Sequence, residues 1–205
     1  MSIIATEWNY PPAEASFRLR DQTYINRFGQ KPHNVGESYW SFEWTLPPIN
    51  DDKARDVETD LYNMEGINML SVYDPRRIFP KAHPKGSGAL TGTVTNMSRG
   101  SKEITIAIPT GQTVSKGDAL SFKTAAGVTH YFQASETVTS TGVIFDIGVN
   151  PRPRRSEFFA GGLPLVRKYA RCVFSVELNS ADMSTDVNLY SDISISGVEF
   201  FGATA

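Results

Sequence analysis

Apolar side chains recur at every second position through much of this chain. Within residues 39–46, Trp40, Phe42, Trp44 and Leu46 share one parity, while Ser41, Glu43 and Thr45 take the other. Residues 103–108 repeat the pattern with Ile104, Ile106 and Ile108, and residues 143–149 with Val143, Phe145, Ile147 and Val149. Cys172, Phe174, Val176 and Leu178 continue it. Successive side chains of an extended strand point to opposite faces, so each window reads as a half-buried antiparallel strand. Near the C-terminus, Ile193 and Ile195 share one parity and Val198 and Phe200 the other, with Gly197 between them. A β-bulge at Gly197 would restore the inward phase, and one is expected there.

One window breaks the rule. Ala54, Val57, Leu61 and Met64 recur at helical spacing, which lines up a single apolar stripe. Asn50 or Asp51 can cap this helix, Asp51 and Asp52 suit the positive end of its dipole, and Gly66 suits its stop. Pro47 and Pro48 separate it from the preceding strand, and a strand over residues 68–73 follows.

Two punctuated stretches suggest hinges. Residues 74–88 hold three prolines, two glycines and five basic side chains, and residues 150–153 hold two more prolines around Arg152. Between the hinges, strands are predicted at 91–97, 102–108, 118–124, 129–135 and 143–149, separated by turn residues such as Lys116-Gly117-Asp118. Five short strands in this length make a small OB-like barrel. The expected fold is therefore mainly β. A discontinuous antiparallel β-sandwich domain with one short helix (residues 1–88 and 154–205) carries an inserted five-stranded OB-like barrel (residues 89–153). Residues 11–37 show few strand signals and are expected to be an arm or loop ordered by a neighbour.

Composition narrows the function classes. The chain has 205 residues, 40% of them hydrophobic, and a net charge of −2. That excludes a disordered class, and a chain this long buries about 70% of its unfolded surface. Nowhere do 18 consecutive apolar residues occur, so no membrane span is expected. Residues 1–7 have neither a basic start nor a long apolar core, so no secretory signal is expected. A single cysteine, Cys172, excludes an internal disulfide and a cysteine-based zinc site.

Reactive groups are sparse. His33, His83 and His130 fall in separate predicted segments and read as surface or loop histidines, with no His-Glu-x-x-His pair. Cys172 lies on the apolar face of a strand, where a thiol behaves as a small hydrophobe. No Gly-x-Ser-x-Gly elbow occurs, and the glycine-rich run from Gly86 to Gly92 leads into a strand, whereas a dinucleotide loop needs a helix there. No catalytic, metal or cofactor residues are assigned, and no enzyme activity is expected.

Charge is distributed unevenly. Arg152, Arg154, Arg155, Arg167, Lys168 and Arg171 stand against the single acid Glu157, a net +5. Residues 43–65, which include Asp51, Asp52 and Asp56, hold seven acids against Lys53 and Arg55, a net −5. These runs could be two solvated faces, or complementary surfaces between neighbouring copies. Phe158, Phe159 and Tyr169 beside the basic run could stack on bases, but they suit a core equally.

The order of these features resembles that of the distal tail proteins of long-tailed bacteriophages, in the subgroup with an OB-like domain inserted in the ring-forming domain. The Trp-rich strand ending at Pro47 leads into a short acidic helix, a strand and the Asp74-Pro75 turn. A small β module with Lys116-Gly117-Asp118 comes next. The run Val143-Ile144-Phe145-Asp146-Ile147 then enters Asn150-Pro151, the basic Arg152-Pro153-Arg154-Arg155 and a return strand. The layout covers nearly the whole chain from Tyr39 onward.

The resemblance implies a structural virion protein, made in the host cytoplasm and located at the distal end of the tail. It would form a homohexameric ring between the tail tube protein and the hub or tip proteins. Neighbouring subunits would extend one another's sheets around a channel through which DNA passes. The OB-like domain would lie outside, a seat for side-fibre or collar proteins or for carbohydrate. The candidate subunit-interface residues are Arg152, Arg154, Arg155, Arg167, Lys168, Arg171, Asp51, Asp52 and Asp56. The alternative, from a different class, is an OB-fold binding module for oligosaccharide or single-stranded nucleic acid.

Overall fold

The computed structural model describes residues 6–21, 23–24, 33–34, 37–47, 51–62, 69–86, 90–142, 144–176, 182–185 and 191–200. The fold is mainly β, with antiparallel sheets and one short helix, in the manner of a sandwich joined to a curled half-barrel. The alternating windows decide this. Trp40, Phe42 and Trp44 are all buried along the strand Tyr39–Thr45, as are Cys172, Phe174 and Val176 along Arg171–Val176.

The first sheet runs in the order Thr6–Glu7, Met69–Tyr73, Arg171–Val176, Ser191–Glu199, Tyr39–Thr45, Glu14–Arg20, with Asp182–Thr185 paired to the N-terminal half of Ser191–Glu199. Its neighbours are antiparallel except Thr6–Glu7, which lies parallel to Met69–Tyr73. The inward face is aromatic: Phe42 lies 4.6 Å from Phe174, and Phe17 lies 5.2 Å from Phe174. The helix Asp51–Tyr62 buries Val57 in this core, and Tyr10 Oη donates to Asp60 Oδ2 at 2.7 Å. The side chains of Ala54 and Leu61, and the expected stop at Met64–Gly66, lie outside the described residues.

Two expectations are corrected here. Residues 11–37 are not simply an arm, because Glu14–Arg20 pairs with Tyr39–Thr45 over seven residues as a strand of the sheet. Ala15 and Phe17 share the inward parity and anchor it. Nor does Gly197 form a bulge, since residues 194–198 pair with 45–41 without a shift. Ile195, Gly197 and Glu199 keep the inward parity, and Val198 is 50% exposed. The reason is steric: a Cβ at Gly197 would sit 2.7 Å from Phe42 Cε1 and 2.7 Å from the Ser175 carbonyl oxygen. The glycine marks where aromatic rings press on the backbone, which is its other common meaning inside a strand.

The second sheet runs Ala119–Lys123, Thr129–Ala134, Phe145–Asn150, Glu103–Ala107, Thr93–Met97, Glu157–Pro164. It has six strands where five were expected, and the sixth lies beyond the expected boundary at residue 153. Opposite Thr93–Met97 that strand jumps register between Phe158 and Leu163, with Gly161 and Gly162 at φ +83° and +75°. The curl draws its end round to the first strand, where Val166 and Ser121 exchange backbone hydrogen bonds of 3.0 and 2.7 Å. Ile104, Ile106, Leu120, Phe122, Phe132, Ile147 and Val149 fill the interior.

The two sheets share side chains. Ala119–Lys123 is buried on both faces: Leu120 and Phe122 enter the second core, and Ala119 enters the first. Tyr131 on the next strand also joins the first core, 5.4 Å from Phe17 and 5.3 Å from Trp40. Ser121 Oγ accepts from the Arg171 backbone N–H at 3.1 Å.

Candidate subunit interface

An interface needs exposed side chains, so the first question is which charged residues reach water. Arg167 is 2% exposed; its guanidinium donates to Gln112 Oε1 at 2.5 Å and to the Thr113 carbonyl at 2.6 Å. Burial lowers its pKa. Arg171 donates to the carbonyls of Ser71 at 2.8 Å and Trp8 at 3.2 Å, and to Asn9 Oδ1 at 2.7 Å, while lying over the Tyr73 ring. It ties the N-terminal segment to the first sheet. Arg154 donates to the Ser38 carbonyl and approaches Glu37 Oε2 at 3.6 Å; burial lowers its pKa, against the pull of Glu199 and Glu37. Arg154, Arg167 and Arg171 are therefore engaged inside the chain. Arg152 and Lys168 are exposed and Arg155 is half-buried. Asp52 and Asp56 are exposed on the helix, and the side chain of Asp51 is outside the described set.

Charge also accumulates where the sequence suggested only a hinge. The turn after Met69–Tyr73 buries Asp74, which accepts from Arg76 Nε at 2.9 Å, from Arg76 Nη2 at 3.0 Å and from Arg77 Nη1. The bond to Asp74 raises the Arg76 pKa. Arg76 Nη2 also donates to the Phe17 carbonyl at 2.7 Å. Asp118, buried, accepts from the backbone N–H of Lys81 at 2.9 Å and of Ser115 at 2.8 Å. These bonds fix a groove of about 260 Å³ lined by Arg76, Arg77, Phe79, Lys81, Gly117 and Asp118. The signal for it was the basic content of residues 74–88, which proline-rich punctuation hid.

Where the sheets meet lies a third group. Glu199 accepts from the Trp40 backbone N–H at 2.8 Å, and burial of its carboxyl pushes its pKa up to about 7. His130 is not a surface or loop histidine. It stands in Thr129–Ala134 and stacks on Phe122 at 5.1 Å. Burial, helped by nearby Arg155, pushes its pKa down to about 4. Both line one small cleft with Tyr131, Arg154 and Arg155. Cys172 is buried beside them, and burial raises its thiol pKa.

The first sheet also ends in an edge strand. Glu14–Arg20 has a strand partner only on its Tyr39–Thr45 side among the described residues, with Arg18, Leu19 and Arg20 exposed. Across the adjoining outer face, Ser16, Ser41, Glu43, Ser175, Ser196 and Val198 line an open groove of about 420 Å³. His83 is half-buried in a loop, and the side chain of His33 is outside the described set. Among the described residues no group of three His, Cys, Asp or Glu is placed to hold a metal ion, and no helix is long and apolar enough to cross a membrane. No protein-family model matches the chain, and no curated protein matches it.

Proposed function

We propose that this chain is a structural ring protein of the phage distal-tail type, six copies of which join the tail tube to the hub or tip and surround the DNA channel. The observation that carries the reading is the Glu14–Arg20 edge, without a second strand partner among the described residues, beside a polar, serine-rich outer sheet face. A seven-residue unpaired edge is a template for another chain's strand. A face of Ser, Thr, Glu and Arg suits a water-filled lumen better than a protein core. The second sheet, built from one continuous stretch of chain between strands of the first, supports the expected layout of a peripheral module on a ring domain.

Light scattering after size exclusion tests this. A ring gives a mass of about six times 22.6 kDa and a closed annulus in negative-stain images. A chain that stays monomeric at high concentration overturns the reading.

The binding-module alternative draws on Phe158, 76% exposed on the outer face of the second sheet. Salt-dependent association with a single-stranded oligonucleotide, lost in Phe158→Ala, is the result it requires.

A further inference from the structure

Resting on that ring reading, we infer that the lysine-rich surface around the 76–85 turn is one half of the subunit contact, and that its occupant is the Asp51–Tyr62 helix of a second copy. Lys81, Lys85, Lys116 and Lys168 are all exposed, and among the described residues none has a carboxylate within ion-pair distance. Their contacts make one surface. Lys81 Nζ donates to the Lys116 carbonyl at 2.8 Å. Lys168 Nζ lies 5.3 Å from the Phe79 ring centre and 5.5 Å from that of Tyr169. Gly86, next to Lys85, lies against Phe79 and Lys168. Arg76 and Arg77 add two cations, and the buried Asp74 and Asp118 offset only two of the six charges.

The surface also has an aromatic floor. Tyr169 is 40% exposed and packs edge-on against Tyr73 at 5.2 Å, with Phe79 at 5.9 Å. Tyr, Arg and partly exposed aromatic rings are the groups that anchor protein interfaces.

The complement lies on the same molecule. The helix Asp51–Tyr62 carries five acids against two bases and has no basic residue in its last turn. Val57 and the Tyr10–Asp60 bond fix its inner side, leaving Asp52 and Asp56, one turn apart, facing out. Neither pairs with these lysines within the chain, among the described residues. Two patches of opposite charge that do not pair within one chain can pair between copies, and a contact of one patch with a different patch is heterologous, which closes into a ring when the rotation allows. The net charge is only −2, so copies do not repel one another strongly.

The test uses the full chain and sedimentation velocity at fixed concentration, with circular dichroism and melting temperature to show that each variant folds. Lys81→Glu with Lys168→Glu weakens association on the order of tenfold, and Asp52→Lys with Asp56→Lys does the same. Combining the four substitutions restores most of it, which general misfolding would not do. Raising salt weakens the wild type and the restored variant alike. If the wild type assembles and neither reversal alters it, the inference is overturned while the ring reading stands. If the wild type never assembles, both fall. If the lysine reversal instead abolishes binding to a labelled oligonucleotide and leaves assembly intact, the surface belongs to nucleic acid and the inference is overturned.

Discussion

Glu199 and His130 line the same cleft and give stability opposite dependences on pH. The folded pKa of Glu199, about 7, lies above its ordinary value, so its contribution is full below about pH 4.5 and is lost as pH rises through 7. The folded pKa of His130, about 4, lies below its ordinary value, so its contribution is full above about pH 6.5 and is lost as pH falls toward 4. Between pH 4.5 and 6.5 the two slopes oppose, each spanning about 3 kcal/mol. Glu199→Gln should therefore raise the melting temperature at pH 8 and unmask acid destabilisation. His130→Asn should leave a protein that gains stability on acidification from pH 7 to 4.5. Melting curves across that range check both. At Arg167, truncation to Ala removes the charged donor of the Thr113 carbonyl and of Gln112, at a cost of about 2–3 kcal/mol in urea unfolding. Arg152→Glu, at an exposed position, should leave stability unchanged.

Strands are where the close packing of the aromatic residues is set. Ser191–Glu199 passes Phe42 and Phe174 without a register shift, and Gly197 permits this because it puts no side chain into the space they occupy. Gly197→Ala places a methyl group 2.7 Å from a ring carbon and from a backbone oxygen. Overpacking of this kind costs about 1–3 kcal/mol, read as a lower urea midpoint at unchanged slope. Glu14–Arg20 presents the opposite case: one side is anchored through Phe17, and the other has no strand partner among the described residues. Leu19, exposed beside Arg18 and Arg20, is flanked by the charges that natural edges use against indiscriminate pairing.

The whole molecule behaves as one unit because its cores overlap. Tyr131 and Ala119 belong by sequence to the second sheet and by packing to the first. Tyr131→Ala should cost about 3–5 kcal/mol, in the range of large aromatic truncations, and split a single calorimetric transition into two. Tyr131→Phe should not, since its hydroxyl is buried without a hydrogen-bond partner among the described residues. Net charge belongs to this scale as well. The near-neutral total hides a lysine surface around the 76–85 turn and acidic side chains, Asp52 and Asp56, on the helix.

Period-two alternation was enough to locate the strands containing Trp40, Ile104, Ile147 and Phe174, and helical spacing located Val57, because burial on one face is a local property of spacing. Mainly β architecture with one short helix follows from that alone. The signal in Ala15 and Phe17 was present but short, and lay beside a polar stretch that masked it. Gly197 was legible as a special position, yet whether it bulges or admits a ring depends on Phe42 and Phe174, which meet it only across strands. Likewise, six basic residues stood out between Arg152 and Arg171, but sequence cannot distinguish a guanidinium in water from one bonded to a carbonyl 54 residues away, as Arg167 is to Thr113. Tertiary structure withdrew Arg154, Arg167 and Arg171 into the fold and assembled the exposed lysines from the 76–85 turn, Lys116 and Lys168. Charge is written along the chain, whereas its exposure is decided by long-range packing.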